Sequence, residues 1–86
     1  MRIVFHRDFH KRYWKLRNAD QRKTDERIQI FGKNPFHPLL NNHALHGKYE
    51  ECHSINITGN LRAVYKKINS DTVYFITLGT HTELYE

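Results

Sequence analysis

Residues 2–6 alternate in character and include Ile3, Val4 and Phe5, a pattern that predicts a short first strand. Asp8 then offers an N-cap side chain, and Phe9, Tyr13 and Leu16 recur at i, i+4 and i+7, the spacing of one apolar helix face. Asn18-Ala19-Asp20 interrupts that face. A second helix is predicted from Asp20, acting as cap, to about Phe31, with Ile28 and Phe31 turned inward and Gly32 as its stop before Pro35. Arg22, Lys23, Asp25, Glu26 and Arg27 form its solvated side. From Asn34 to Gly47 the prolines, asparagines and glycine predict a loop, which also carries His37, His43 and His46.

Three strands are predicted beyond it, over 48–58, 61–68 and 72–78, joined by the turns Thr58-Gly59-Asn60 and Asn69-Ser70-Asp71. The order β-α-α-β-β-β predicts one α+β domain over residues 1–86. It consists of an antiparallel sheet with both N-terminal helices packed on one face and the other face partly open.

Composition narrows the class. An 86-residue chain has a thin core, and five Phe, five Tyr and one Trp argue against disorder. The single cysteine, Cys52, excludes an internal disulfide and fits a reducing compartment; mid-strand, it reads as a small buried hydrophobe. No stretch approaches the length of a membrane span, and the expected location is the cytosol. The formal charge is +5, with seven histidines uncounted, and points to a polyanion or an acidic partner unless the cations are merely solvated.

Few motifs carry chemistry. His37, His43, His46, Cys52 and His53 lie close together, but their spacing matches no zinc pattern, and neither a phosphate loop nor a nucleophile elbow is present. No metal and no cofactor are expected. His81 follows an apolar strand and Gly79, so it is either a rigidly mounted acid or base or a loop histidine in solvent. Strand alternation turns Leu61, Ala63 and Tyr65 one way and Arg62, Val64 and Lys66 the other. Arg62 on a central strand needs an anion: either an internal carboxylate such as Glu50 or Glu51, or a phosphate that its planar fork would grip. Tyr49 reads as packed, whereas Tyr85 is a candidate for stacking on a base.

Three segments together resemble one family: His43-Ala44-Leu45-His46-Gly47-Lys48-Tyr49, Leu61-Arg62-Ala63-Val64-Tyr65, and Leu78-Gly79-Thr80-His81-Thr82-Glu83-Leu84-Tyr85. They are similar to the RelE/ParE superfamily of bacterial toxin–antitoxin toxins, and most to its YafQ-type branch. The resemblance implies the RelE-like fold, an mRNA interferase active through a metal-free attack of the 2′-OH on the adjacent phosphate, and an acidic antitoxin that inhibits it. It implies mRNA and the ribosome as further partners and a monomeric free toxin. His43 falls on a catalytic His of YafQ-type toxins, Arg62 on the active-site Arg of the sister YoeB group, and His81 on the branch's C-terminal catalytic His. Lys48 and Tyr85 match substrate-binding positions. Asn56 and Asn60 stand where relatives often carry His and Asp, and are expected to orient substrate; Thr77 stands where some carry Arg. His43 is expected to act as base and His81 as acid, or the reverse, with Arg62 and Lys48 stabilising the phosphate. A gyrase-poisoning toxin of ParE type and a degenerate toxin that only binds its antitoxin are the alternative readings.

Overall fold

A computed structural model describes residues 1–85. The elements run β1 (Arg2–Phe5), α1 (Arg7–Trp14), α2 (Asn18–Lys33), a 3-10 turn at Pro38–Leu40, β2 (His43–Ala44), a second 3-10 turn at Gly47–Tyr49, β3 (Cys52–Asn56), β4 (Leu61–Lys67), β5 (Thr72–Thr80) and α3 (His81–Tyr85). One sheet has the order β1-β5-β4-β3-β2. The α+β class and the helix pair stand as expected.

Four local expectations change. The sheet is mixed, because β1 pairs parallel to β5 while the other pairs are antiparallel. No tight turn joins β1 to β5, so nothing local dictates their relative direction. A fifth strand, β2, extends the sheet by two exposed residues, too few to show a period. Lys48 lies on a 3-10 turn entered through Gly47 at φ +68°, a left-handed conformation suited to glycine, and the following strand begins only at Cys52. Finally, β5 ends in a helix rather than an exit loop.

The caps also differ. His6, not Asp8, caps α1, its Nδ1 accepting from the Asp8 N–H at 2.9 Å. The Asp8 carboxylate is thereby free to accept from Thr77 Oγ1 at 2.7 Å and to pair with Arg12 Nε at 3.3 Å, which ties α1 to β5. The N-cap of α2 is Arg17, which has no side-chain cap bond; Asp20 sits inside the first turn, 3.4 Å from Arg17 Nη2. Gly32 stays helical, and α2 stops at Lys33 ahead of Pro35.

Side-chain alternation along β4 places Leu61, Ala63 and Tyr65 against the helices. They pack there with Ile55, Ile57, Phe75 and Leu78 of the sheet and with Phe9, Phe31 and Leu40. Phe31 is fully buried, its ring 4.8 Å from Tyr65 and 5.2 Å from Phe75, and its burial stabilises by about 1.5–3 kcal/mol. Across the sheet, Thr77 opposes Val64 but Phe75 opposes Tyr65, so Ile76 is the extra residue of a β-bulge. The bulge lets both Phe75 and Leu78 reach the core. It turns Gly79 to the far face, opposite Arg62, and aims the chain that follows over that face. There α3 folds back and closes a smaller cluster of Cys52, Val64 and Leu84 with Leu45, Tyr49, Ile76 and Tyr85.

Candidate active site

Strand register assembles the far face. His43 pairs with Ser54, Ser54 with Val64, Asn56 with Arg62, and Arg62 with Gly79; paired residues share a face. α3 supplies the remaining wall. Its start is a capping box: Glu83 Oε1 accepts from the Thr80 N–H at 2.8 Å, and Thr80 Oγ1 accepts from the Glu83 N–H at 3.2 Å. His81 therefore occupies the first helical position, and Tyr85, one turn later, lies with its ring 4.7 Å from the imidazole. Leu84, 1% exposed, pins the helix down. Gly79 makes room at this junction, since a Cβ there would meet Arg12 Nη1 at 3.0 Å and Glu83 Oε1 at 3.2 Å.

The result is a cleft of about 250 Å³ lined by His43, Leu45, Ser54, Arg62, His81 and Tyr85. Residues from β2, β4 and α3, nineteen apart in the chain, thus converge on one depression.

Its electrostatics follow from the hydrogen bonds. His43 Nδ1 lies 2.8 Å from the carbonyl of Asn41. A carbonyl only accepts, so the proton of this bond is on Nδ1, and in the neutral ring Nε2 keeps its lone pair. The segment is held by Asn42, whose Nδ2 donates to Pro35 O at 2.9 Å and to the Tyr65 hydroxyl at 2.8 Å. Arg62 does not form the internal salt bridge considered above. Its Nη1 donates to the carbonyls of Thr58 at 2.8 Å and Leu61 at 3.3 Å, and Nη2 to that of Gly59 at 3.1 Å. Glu51 pairs instead with Lys66, at 3.9 Å. Among the described residues no carboxylate forms an ion pair with Arg62, so a fixed cation faces the cleft without an internal counter-charge. The Thr80 N–H bond holds the Glu83 carboxyl below the usual range, and burial pushes the Tyr49 hydroxyl and the Cys52 thiol up.

Three expected substrate-binding residues lie outside the lining. Lys48 Nζ reaches the Leu84 carbonyl at 3.5 Å and stands 5.4 Å over the Tyr49 ring, so it props the C-terminal end of α3. Asn56 lies on the cleft face opposite Arg62, its Oδ1 buried and unpartnered among the described residues. Asn60 is exposed in the β3–β4 turn, its N–H bonded to Thr58 Oγ1. Thr77 spends its hydroxyl on Asp8. Sequence reasoning missed Ser54, a fully buried hydroxyl with no partner at the cleft, and the Thr80–Glu83 box. The box was legible as T-x-x-E; Ser54 acquires meaning only through its register with His43.

The model of the bacterial type II toxin–antitoxin toxin YafQ matches residues 1–86, the full length of the chain. The chain belongs to this YafQ toxin family. Escherichia coli BL21(DE3) YafQ superposes with a TM-score of 0.81 at 20% identity, covering 100% of both chains. The YoeB/ParE toxin of Agrobacterium tumefaciens superposes with a TM-score of 0.76 at 24% identity, covering 94% of this chain and 99% of that one. The E. coli DinJ–YafQ complex matches with a TM-score of 0.71 at 18% identity over 100% of both chains. No functionally curated sequence matches. The five-stranded mixed sheet with its helix pair is the fold of these toxins, and this YafQ-family chain is a type II toxin.

Proposed function

We propose that this YafQ-family toxin is an endoribonuclease that cleaves mRNA, on the ribosome, by attack of a ribose 2′-OH on the adjacent phosphate. The observation that carries the reading is the convergence of His43, Arg62 and His81 on one cleft, with no carboxylate paired to Arg62 among the described residues.

The chemistry needs a base, a cation and an acid. His43 Nε2 has the free lone pair to take the 2′-OH proton. The 2′-oxygen then bonds to phosphorus, and the P–O5′ bond breaks to leave a 2′,3′-cyclic phosphate. Arg62, its fork oriented by three carbonyls, stabilises the charge that builds on the non-bridging oxygens. Protonated His81 gives its proton to the departing O5′. DNA lacks the nucleophile, so the reaction selects RNA. Tyr85 offers a ring for base stacking beside His81, and Asn56 an amide beside Arg62. Lys48 acts by holding α3 and Asn60 at the rim of the β3–β4 turn, both at one remove from the reacting phosphate.

The toxin acts in the cytoplasm as a monomer and is silenced by an acidic antitoxin. Between Arg7 and Lys33 nine Lys and Arg residues face four Asp and Glu, an excess equal to the +5 of the whole chain, so the helical layer is the side that attracts such a partner. Primer extension on a defined mRNA, with and without ribosomes, tests the function. Cuts within codons are expected. Intact RNA together with inhibited DNA supercoiling would replace this reading with gyrase poisoning, and intact RNA with antitoxin binding retained would leave a degenerate toxin.

A further inference from the structure

We propose that the groove between α1 and α2, on the sheet face opposite the cleft, is the anchoring site for an acidic amphipathic helix of the antitoxin. The proposal rests on the antitoxin partnership above, not on ribonuclease activity. The groove encloses about 360 Å³ between Phe5, Phe9, Tyr13 and Trp14 on one side and Thr24 and Ile28 on the other. Trp14, the chain's single tryptophan, is 71% exposed and stands edge-on to Tyr13 at 5.2 Å. An indole left in water on the rim of an apolar groove is the residue type that dominates interface energetics once covered.

The rim selects the partner's charge. Arg7 lies two turns before Trp14 on α1. Arg22 and Lys33, three residues before Asp25 and four after Gln29, share the groove-facing side of α2. All three are exposed, and none pairs with a carboxylate among the described residues. Asp25 is occupied, accepting from the Tyr13 hydroxyl at 2.7 Å. An apolar floor between free cations fits a helix with an apolar stripe flanked by Glu or Asp, inserted as an i, i+3, i+4, i+7 ridge. RNA would engage the cations and leave the Phe9–Ile28 floor unfilled. Because the groove and the cleft lie on opposite faces, anchoring there is independent of occupancy of the catalytic cleft.

The test is the affinity of the purified toxin for the acidic antitoxin encoded beside it, measured for wild type, Trp14→Arg and the charge reversal Arg7→Glu/Arg22→Glu/Lys33→Glu. Both variants are expected to bind about 30-fold or more weakly, with mRNA cleavage by the free toxin unchanged. Trp14 emission is expected to shift to the blue on adding the antitoxin, or an acidic amphipathic Leu/Glu peptide but not its scrambled form. Unchanged affinity in both variants overturns the proposal. So does a loss of self-association, or of ribosome co-sedimentation, with antitoxin affinity intact, which would assign the groove to a second copy or to RNA. A toxin that cuts no RNA yet shows the weakened binding defeats the ribonuclease reading and supports this one.

Discussion

Glu83→Ala isolates how His81 is held. Five residues cannot sustain a helix alone; α3 exists because Leu84 is buried, Lys48 meets its last turn and the Thr80–Glu83 box closes its first. Ordering its backbone costs about 5–10 kcal/mol at 1–2 kcal/mol per residue, against about 1.5–3 kcal/mol from burying Leu84 and the helix's own bonds, so docking is near balance. Removing the carboxylate strands the Thr80 N–H, half-exposed and open to water, and costs about 1 kcal/mol. That shifts the docked population about fivefold. Cleavage of a defined mRNA is expected to fall about two- to fivefold, with the thermal unfolding midpoint nearly unchanged and the His81 ring resonances broadened or moved. Glu83→Gln retains an acceptor for the Thr80 N–H and is expected to stay close to wild type. Because the folded carboxyl lies below the usual range, its contribution is present above that range and is lost as pH falls through the depressed value. Glu83→Gln removes that acid dependence. A loss of about 100-fold or more in Glu83→Ala, or equal losses in Glu83→Ala and Glu83→Gln, would mean that the carboxylate takes part in chemistry rather than in capping.

His43→Ala and His81→Ala are each expected to slow cleavage about 10²–10⁴-fold and to restore growth when the toxin is induced; arrest persisting in both removes the acid–base assignment. Phe31→Ala empties a fully buried site between Tyr65 and Phe75 and is expected to cost about 3–5 kcal/mol, a midpoint loss above about 10 °C by circular dichroism. The Asp8 carboxyl is lowered first by the Thr77 hydroxyl and, against its desolvation, by Arg12; this stabilisation holds above the usual aspartate range and is lost as pH falls below it. Thr77→Val is expected to cost about 1 kcal/mol near neutrality and to flatten the acid limb of the stability profile; an unchanged limb refutes the Thr77–Asp8 link.

Long periodic segments were legible without coordinates. The i, i+4, i+7 face of α1, the alternation of β4 that sends Arg62 away from the core, and the residues Phe9, Phe31 and Tyr65 all follow from patterns of several residues, each reinforcing the next. His43, Arg62 and His81 were legible as a set because their segments resemble those of one family. Lys48 and Asn60 belong to the same segments yet sit outside the cleft, since a 3-10 turn and an exposed hairpin tip decide where they stand.

The tertiary structure decided the rest. β2 is two residues long, the bulge at Ile76 inserts a single residue, and β1 meets β5 across the whole chain; none of these leaves a periodic trace. Ser54 has no meaning until it is set opposite His43. The chain by itself determined which residues have the chemistry and which faces of its long elements are apolar, because those depend on neighbours three or four positions away. Only the folded molecule determined that His43, Arg62 and His81 share one cleft, because that depends on strand register, one bulge and a five-residue helix held by its cap.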